Sequence, residues 1–233
     1  MSTSVRTTND HLEVQSLTLR HPLTGHLVEL IGVLHVADPS FWLLLNAHMR
    51  KRTMQGYAVH YELITGSSST KDRGGKMMLH MSAAMRALVA KAKEAGLMYQ
   101  LEAISYPEEA INTDMSKDEV RQAFAKVPFW FPLQMRLART LFGLLPATDF
   151  RRMLGEMLTK SGSSSLASGG IDNAVILDAR NDIATRYALG STRPVVAIWG
   201  AAHVAGIAAN LQAAGYQIKS RAGFRPTATC TGK

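Results

Sequence analysis

The chain has 233 residues, 46% of them hydrophobic and 19% charged, enough to fill one medium domain and too apolar for intrinsic disorder as a global state. Its net charge of +8 suits an anionic partner or simply a solvated basic surface, and no specific nucleic acid is expected from it. The single cysteine, Cys230, excludes an intrachain disulfide and a cysteine metal cluster, and no apolar run reaches the ~18 residues of a membrane span, so a cytoplasmic chain without one is expected.

One α/β domain over 1–233 is expected, with flexible ends at about 1–10 and 222–233. Residues 12–21 and 26–38 are rich in aliphatic and β-branched side chains, and Pro22, Thr24 and Gly25 between them predict a β-hairpin. After Pro39, apolar residues at Phe41, Leu44, Leu45 and Met49 predict a helix that ends in Arg50, Lys51 and Arg52. A strand is predicted at 57–64, a loop at 65–75 and a helix at 76–95, where Met77, Met78, Met81 and Met85 read as core. Residues 97–106 fit either a strand or continued helix.

Ser116 with Glu119 forms a capping box and opens a helix at 117–126, the start of a helical insertion over about 116–160. Residues 129–145 read as an amphipathic helix or groove wall used for core packing, and the Ser/Gly-rich stretch 161–170 as a hinge or lid. A helix at 172–189, a strand at 194–199, a helix at 203–214 and a strand near 216–220 complete the chain. This alternation predicts an α/β fold with a central, mostly parallel sheet flanked by helices.

A short pattern occurs twice. Residues 31–37 read Ile-Gly-Val-Leu-His-Val-Ala and residues 199–205 read Trp-Gly-Ala-Ala-His-Val-Ala, each an apolar strand leading into Gly-x-x-His and a helix. Such a histidine falls where open α/β sheets bind ligands, and Gly32 and Gly200 are read as the turns that permit close backbone approach. Glu62, a carboxylate in an apolar strand, needs a partner: a metal shared with His35 and His203, a water to activate, or an arginine. Arg180 either clamps developing negative charge, pairs with Glu62, or rests on the surface. Alternation puts His60 with Glu62 and Tyr61 on the other face, while Asn112, Asp114 and Asn181 are secondary polar candidates. No His-Glu-x-x-His, Walker loop, dinucleotide fingerprint or Gly-x-Ser-x-Gly elbow occurs.

The order Gly-Val-Leu-His (32–35), Tyr-Glu-Leu-Ile (61–64), Ala-Arg-Asn (179–181) and the block 195–218 resembles the TraB/PrgY/GumN family, which includes the Tiki proteases. The resemblance spans about 26–220 and is concentrated in the last block. It implies a fold akin to the erythromycin esterase and ChaN-like group, with His35, Glu62, Arg180 and His203 at the active centre. It further implies a divalent metal such as manganese or cobalt at His35, His203 and Glu62, whose imidazole and oxygen ligands suit zinc equally, and a metal-assisted, peptidase-like hydrolysis of a peptide or small-molecule substrate. The competing expectations are a module that binds a peptide, a porphyrin or another small ligand without catalysis, and a metal-free, esterase-like hydrolase with a histidine base.

Overall fold

The computed structural model of the protein describes residues 5–8, 11–65, 71–125, 131–144, 146, 147, 149, 150, 153 and 177–224. The predicted hinge at 161–170, the first residues of the predicted helix at 172–189 and Cys230 lie outside the described residues.

The expected α/β architecture is present. Strands β1 (Val5–Thr8), β2 (His11–Arg20), β3 (Leu27–Val33), β5 (Ala58–Tyr61), β7 (Ile111–Asn112), β8 (Val195–Gly200) and β9 (Gln217–Phe224) form one sheet. Its order is β1-β2-β3-β8-β5-β7, with β9 also on β2. The four strands β3, β8, β5 and β7 pair in parallel, and β1, β2, β3 and β9 pair antiparallel through β2. The predicted hairpin is β2–β3, and its turn requires a glycine because Gly25 has φ of 73°.

Both faces of the parallel strands are apolar, as buried strands between helices must be. Ile31, Val33, Val196 and Ile198 pack with Phe41, Trp42, Leu45 and Met49 of α1 (Pro39–Met54). Their neighbours along the same strands, Val28, Leu30, Val195, Ala197 and Trp199, belong to a second cluster. That cluster contains Ala184 and Ala188 of α6 (Ala179–Gly190) and Val204, Ile207 and Leu211 of α7 (Ala201–Ala213). Period-two alternation therefore splits one sheet between two helical layers.

Between β5 and α6 the chain runs through α2 (Arg73–Glu94), α3 (Gln100–Ala103), α4 (Lys117–Phe124) and α5 (Phe131–Leu144). Helix α2 starts three residues earlier than expected because Asp72 accepts a hydrogen bond from Gly75 N–H. The capping box of Ser116 and Glu119 is formed, and Met77, Met78 and Met81 pack in the core with Val120 and Phe124. The undecided stretch 97–106 divides: β6 (Met98–Tyr99) pairs with β4 (Val36–Ala37) in a separate small sheet, and α3 follows at once. Residues 5–8 pair with β2, and residues 222–224 continue β9 along β2, where the backbone hydrogen bonds of the sheet hold them. Among the described residues, no helix is long and apolar enough to cross a membrane.

Candidate active site

Four parallel strands end on one side of the sheet, and three of them deliver a polar residue there. His35 follows β3 by two residues, Glu62 follows β5 directly, Asp114 lies two residues after β7, and β8 ends at Gly200, where α7 begins. This is the carboxyl edge at which open α/β sheets bind ligands.

Glu62 is the hub. Its Oε1 accepts a charged hydrogen bond from Arg180 Nη2, and its Oε2 accepts the N–H of Gly200 at the N-terminus of α7. Arg180 also donates from Nε to Asp114 Oδ1 at 2.8 Å and from Nη2 to Asp114 Oδ2 at 2.7 Å. Its guanidinium lies 5.6 Å from the Trp199 ring centre. Burial alone would raise the Glu62 carboxyl, but Arg180, then His203 and His35, and the Gly200 N–H outweigh it and hold the group down at about 2. Two carboxylates share one guanidinium, and the N-terminal pole of α7 meets the remaining negative charge.

The two histidines of the repeated pattern are held alike but exposed differently. His203 Nδ1–H donates to Asn181 Oδ1 at 2.8 Å, and His35 Nδ1–H donates to Gln100 Oε1 at 3.2 Å. An amide oxygen can only accept, so in both rings the lone pair is left on Nε2. His203 Nε2 faces Glu62 Oε1 at 3.8 Å, and burial drives this imidazole down to about 4, so it is neutral near pH 7. His203 is buried, whereas His35 is exposed.

The register of β3 on β8 explains the difference. Val33, not Gly32, pairs with Gly200, so the two Gly-x-x-His copies are offset by one residue. In the second copy the helix starts at Ala201 and takes His203 into its buried first turn. In the first, β4 intervenes and α1 starts only at Pro39, leaving His35 outside a helix. Gly32 is not at a turn, whereas Gly200 stands where β8 turns into α7 as the N-cap of that helix. Gly32 lies within β3, where a Cβ would press on Val204, Ala201 and the Gln15 carbonyl, and a Cβ on Gly200 would stand 3.0 Å from Glu62 Oε2. Both clear space for a packed neighbour.

Of the secondary candidates, Asp114 and Asn181 belong to the site and the others serve the scaffold. Asn112 donates to the Leu63 carbonyl at 2.7 Å and ties the ends of β5 and β7 together. Tyr61 stacks on Tyr106 with ring centres 4.2 Å apart. His60 lies deeper along β5, edge-on to Tyr187 at 6.4 Å, outside the Glu62–Arg180–His203 group. Two positioning residues have no signature in the sequence. Gln100 reaches His35 only because β6 pairs with β4, and Gly206 matters because a Cβ there would collide with Asn181 Nδ2. Gly206→Ala should therefore cost about 1 to 3 kcal/mol by overpacking, checked by urea unfolding; a variant as stable as the parent would show that Asn181 moves aside freely.

The residues do not fit a metal centre. Both Glu62 oxygens take N–H donors, both Asp114 oxygens take Arg180, and the described residues contain no group of three His, Cys, Asp or Glu able to hold a metal ion. In place of the metal expected for His35, His203 and Glu62, Glu62 pairs with Arg180, the arginine partner that the sequence left open for it, His203 with Asn181 and His35 with Gln100. No family model, curated protein or solved structure matches the chain.

Acid should weaken this arrangement in two stages. The folded-state values of His203 and His60 are depressed from 6.5 to about 4, His60 chiefly by burial with a smaller contribution from His26, so their stabilisation is complete above pH 6.5 and is lost as pH falls toward 4. Glu62 falls from 4.5 to about 2, so its contribution is lost between those values. Denaturant unfolding at pH 7, 6, 5 and 4 should show stability declining from about pH 6.5 downward, and a flat profile to pH 4 would refute the buried neutral histidines.

Proposed function

We propose that the chain is a hydrolase in which His35 is the general base. The observation that carries this reading is the pair of histidines fixed in one tautomer by Gln100 and Asn181, of which only His35 opens to solvent. The resemblance to the TraB/PrgY/GumN family supports a hydrolase, and the saturated carboxylates favour the metal-free form over the metal-assisted one.

His35 Nε2 takes a proton from water as the water oxygen bonds to an acyl carbon. The N-terminal pole of α7 lies at the same edge and favours the negative charge that develops on the carbonyl oxygen. When the bond to the leaving group breaks, the imidazolium returns its proton to that group, so the enzyme ends unchanged. Glu62, Arg180 and Asp114 hold the ends of β5, β7 and β8 in register beneath this reaction. A histidine base without a Lewis acid works best on a good leaving group, so an ester or lactone is the favoured substrate and a peptide amide the second. A cytoplasmic location belongs to the same proposal and rests on a composition with one cysteine in 233 residues.

The test is turnover of nitrophenyl esters, lactones and fluorogenic peptides with EDTA, without it, and after addition of manganese, cobalt or zinc. Turnover indifferent to EDTA supports the proposal. Turnover only with added metal would restore the metal-assisted reading, and saturable binding of a probe without turnover would make the crevice a ligand-binding site.

A further inference from the structure

Asn46 interrupts the apolar stripe of α1. Its companions on the buried side of that helix are Phe41, Trp42, Leu45 and Met49, and it is itself only 8% exposed. An amide in such a place weakens both helix and core unless its two ends are hydrogen-bonded. Both ends are used: Asn46 Nδ2 donates to the Ala103 carbonyl at 2.9 Å, and Asn46 Oδ1 accepts the Ser105 N–H at 3.0 Å. A carbonyl only accepts and an N–H only donates, so these partners fix the orientation of the amide. One turn earlier on the same side, Trp42 Nε1 donates to the Met98 carbonyl at 3.2 Å. Helix α1 therefore grips the segment 98–105 on either side of Gln100.

That grip bears on the candidate base. Gln100 opens α3, a single turn of four residues closed by the Ile104 N–H on the Gln100 carbonyl at 3.0 Å. One turn of helix is not stable by itself, so the place of α3 is set by what holds it from outside. Gln100 meets His35 twice, donating its N–H to the His35 carbonyl at 2.8 Å and accepting from His35 Nδ1 at 3.2 Å. The first contact holds backbone to backbone, and only the second selects the tautomer of the ring. A leucine at 46 would continue the apolar stripe but leave the Ala103 carbonyl and the Ser105 N–H unpartnered. We propose that Asn46 is a positioning residue for His35: by pinning the end of α3 it keeps the Gln100 amide on Nδ1 and the Nε2 lone pair open to water. Its consequence for catalysis rests on His35 being the general base of the proposed hydrolase.

Nitrogen NMR of the imidazole rings, on the full chain labelled at histidine and held at alkaline pH, reads the His35 tautomer without any substrate, and His35→Ala assigns its signals. In the parent the proton should sit on Nδ1. In Asn46→Leu and Asn46→Ala both tautomers should be present, as in Gln100→Leu. Asn46→Ala leaves room for water on the two backbone groups, so it tests the proposal even if the leucine disturbs the fold. On a nitrophenyl ester, either Asn46 variant should lower kcat about tenfold with KM unchanged, less than loss of the base itself. A folded Asn46→Ala protein with His35 still wholly protonated on Nδ1 would overturn the proposal, as would a parent in which both tautomers are present. Full turnover by His35→Ala would instead remove the hydrolase reading, while the tautomers would still decide the role of Asn46.

Discussion

Arg180→Ala should lower the unfolding free energy by about 3 to 5 kcal/mol, the cost of leaving buried charge without its partner. The side chain belongs to a residue only 8% exposed, and it is the shared cation of Glu62, also 8% exposed, and Asp114. A surface arginine would cost no more than about 0.5 kcal/mol, so urea unfolding at pH 7 separates the two readings cleanly. Adding Glu62→Gln and Asp114→Asn to Arg180→Ala should recover part of the loss, because the orphaned charges are then gone. A single-variant loss below about 1 kcal/mol would show that water reaches the group and that the ion pairs are not the keystone of this edge.

His35→Ala should behave in the opposite way. The residue is exposed and contacts the scaffold mainly through Gln100, so stability should stay within about 0.5 kcal/mol of the parent. Turnover of an ester probe should fall about 100- to 10,000-fold with the loss of the base. His203→Ala supplies the contrast, since its buried ring packs edge-on to Trp199 at 5.1 Å and holds Asn181, so the damage there should fall on stability. An active His35→Ala enzyme would remove His35 from the chemistry and overturn the proposed mechanism.

Glu29 shows why a residue's role does not follow from its place in the sequence. Like Glu62 it is a buried carboxylate on an apolar strand, and it pairs with Arg52 Nε at 2.6 Å and His48 Nε2 at 3.0 Å. Yet it lies within β3, away from the carboxyl edge, where α1 supplies both partners and no second histidine from the repeated pattern approaches. The same residue type in the same kind of strand is structural in one place and central to the candidate site in the other.

Local chemistry by itself determined the hairpin, the starts of α1 and α4, the buried parallel strands and the residue types His35, Glu62, Arg180 and His203, because turns, caps and apolar periodicity act over a few residues. Only the tertiary structure decided what those four residues do. The one-residue offset of β3 on β8 separates an exposed His35 from a buried His203, and the pairing of β6 with β4 brings Gln100 to His35 across 65 positions of chain. Arg180 and Glu62 meet across 118 positions, and the side of α5 left facing water depends on its packing along α2. These contacts are set by register and packing between distant segments, and no window of neighbouring residues contains both partners.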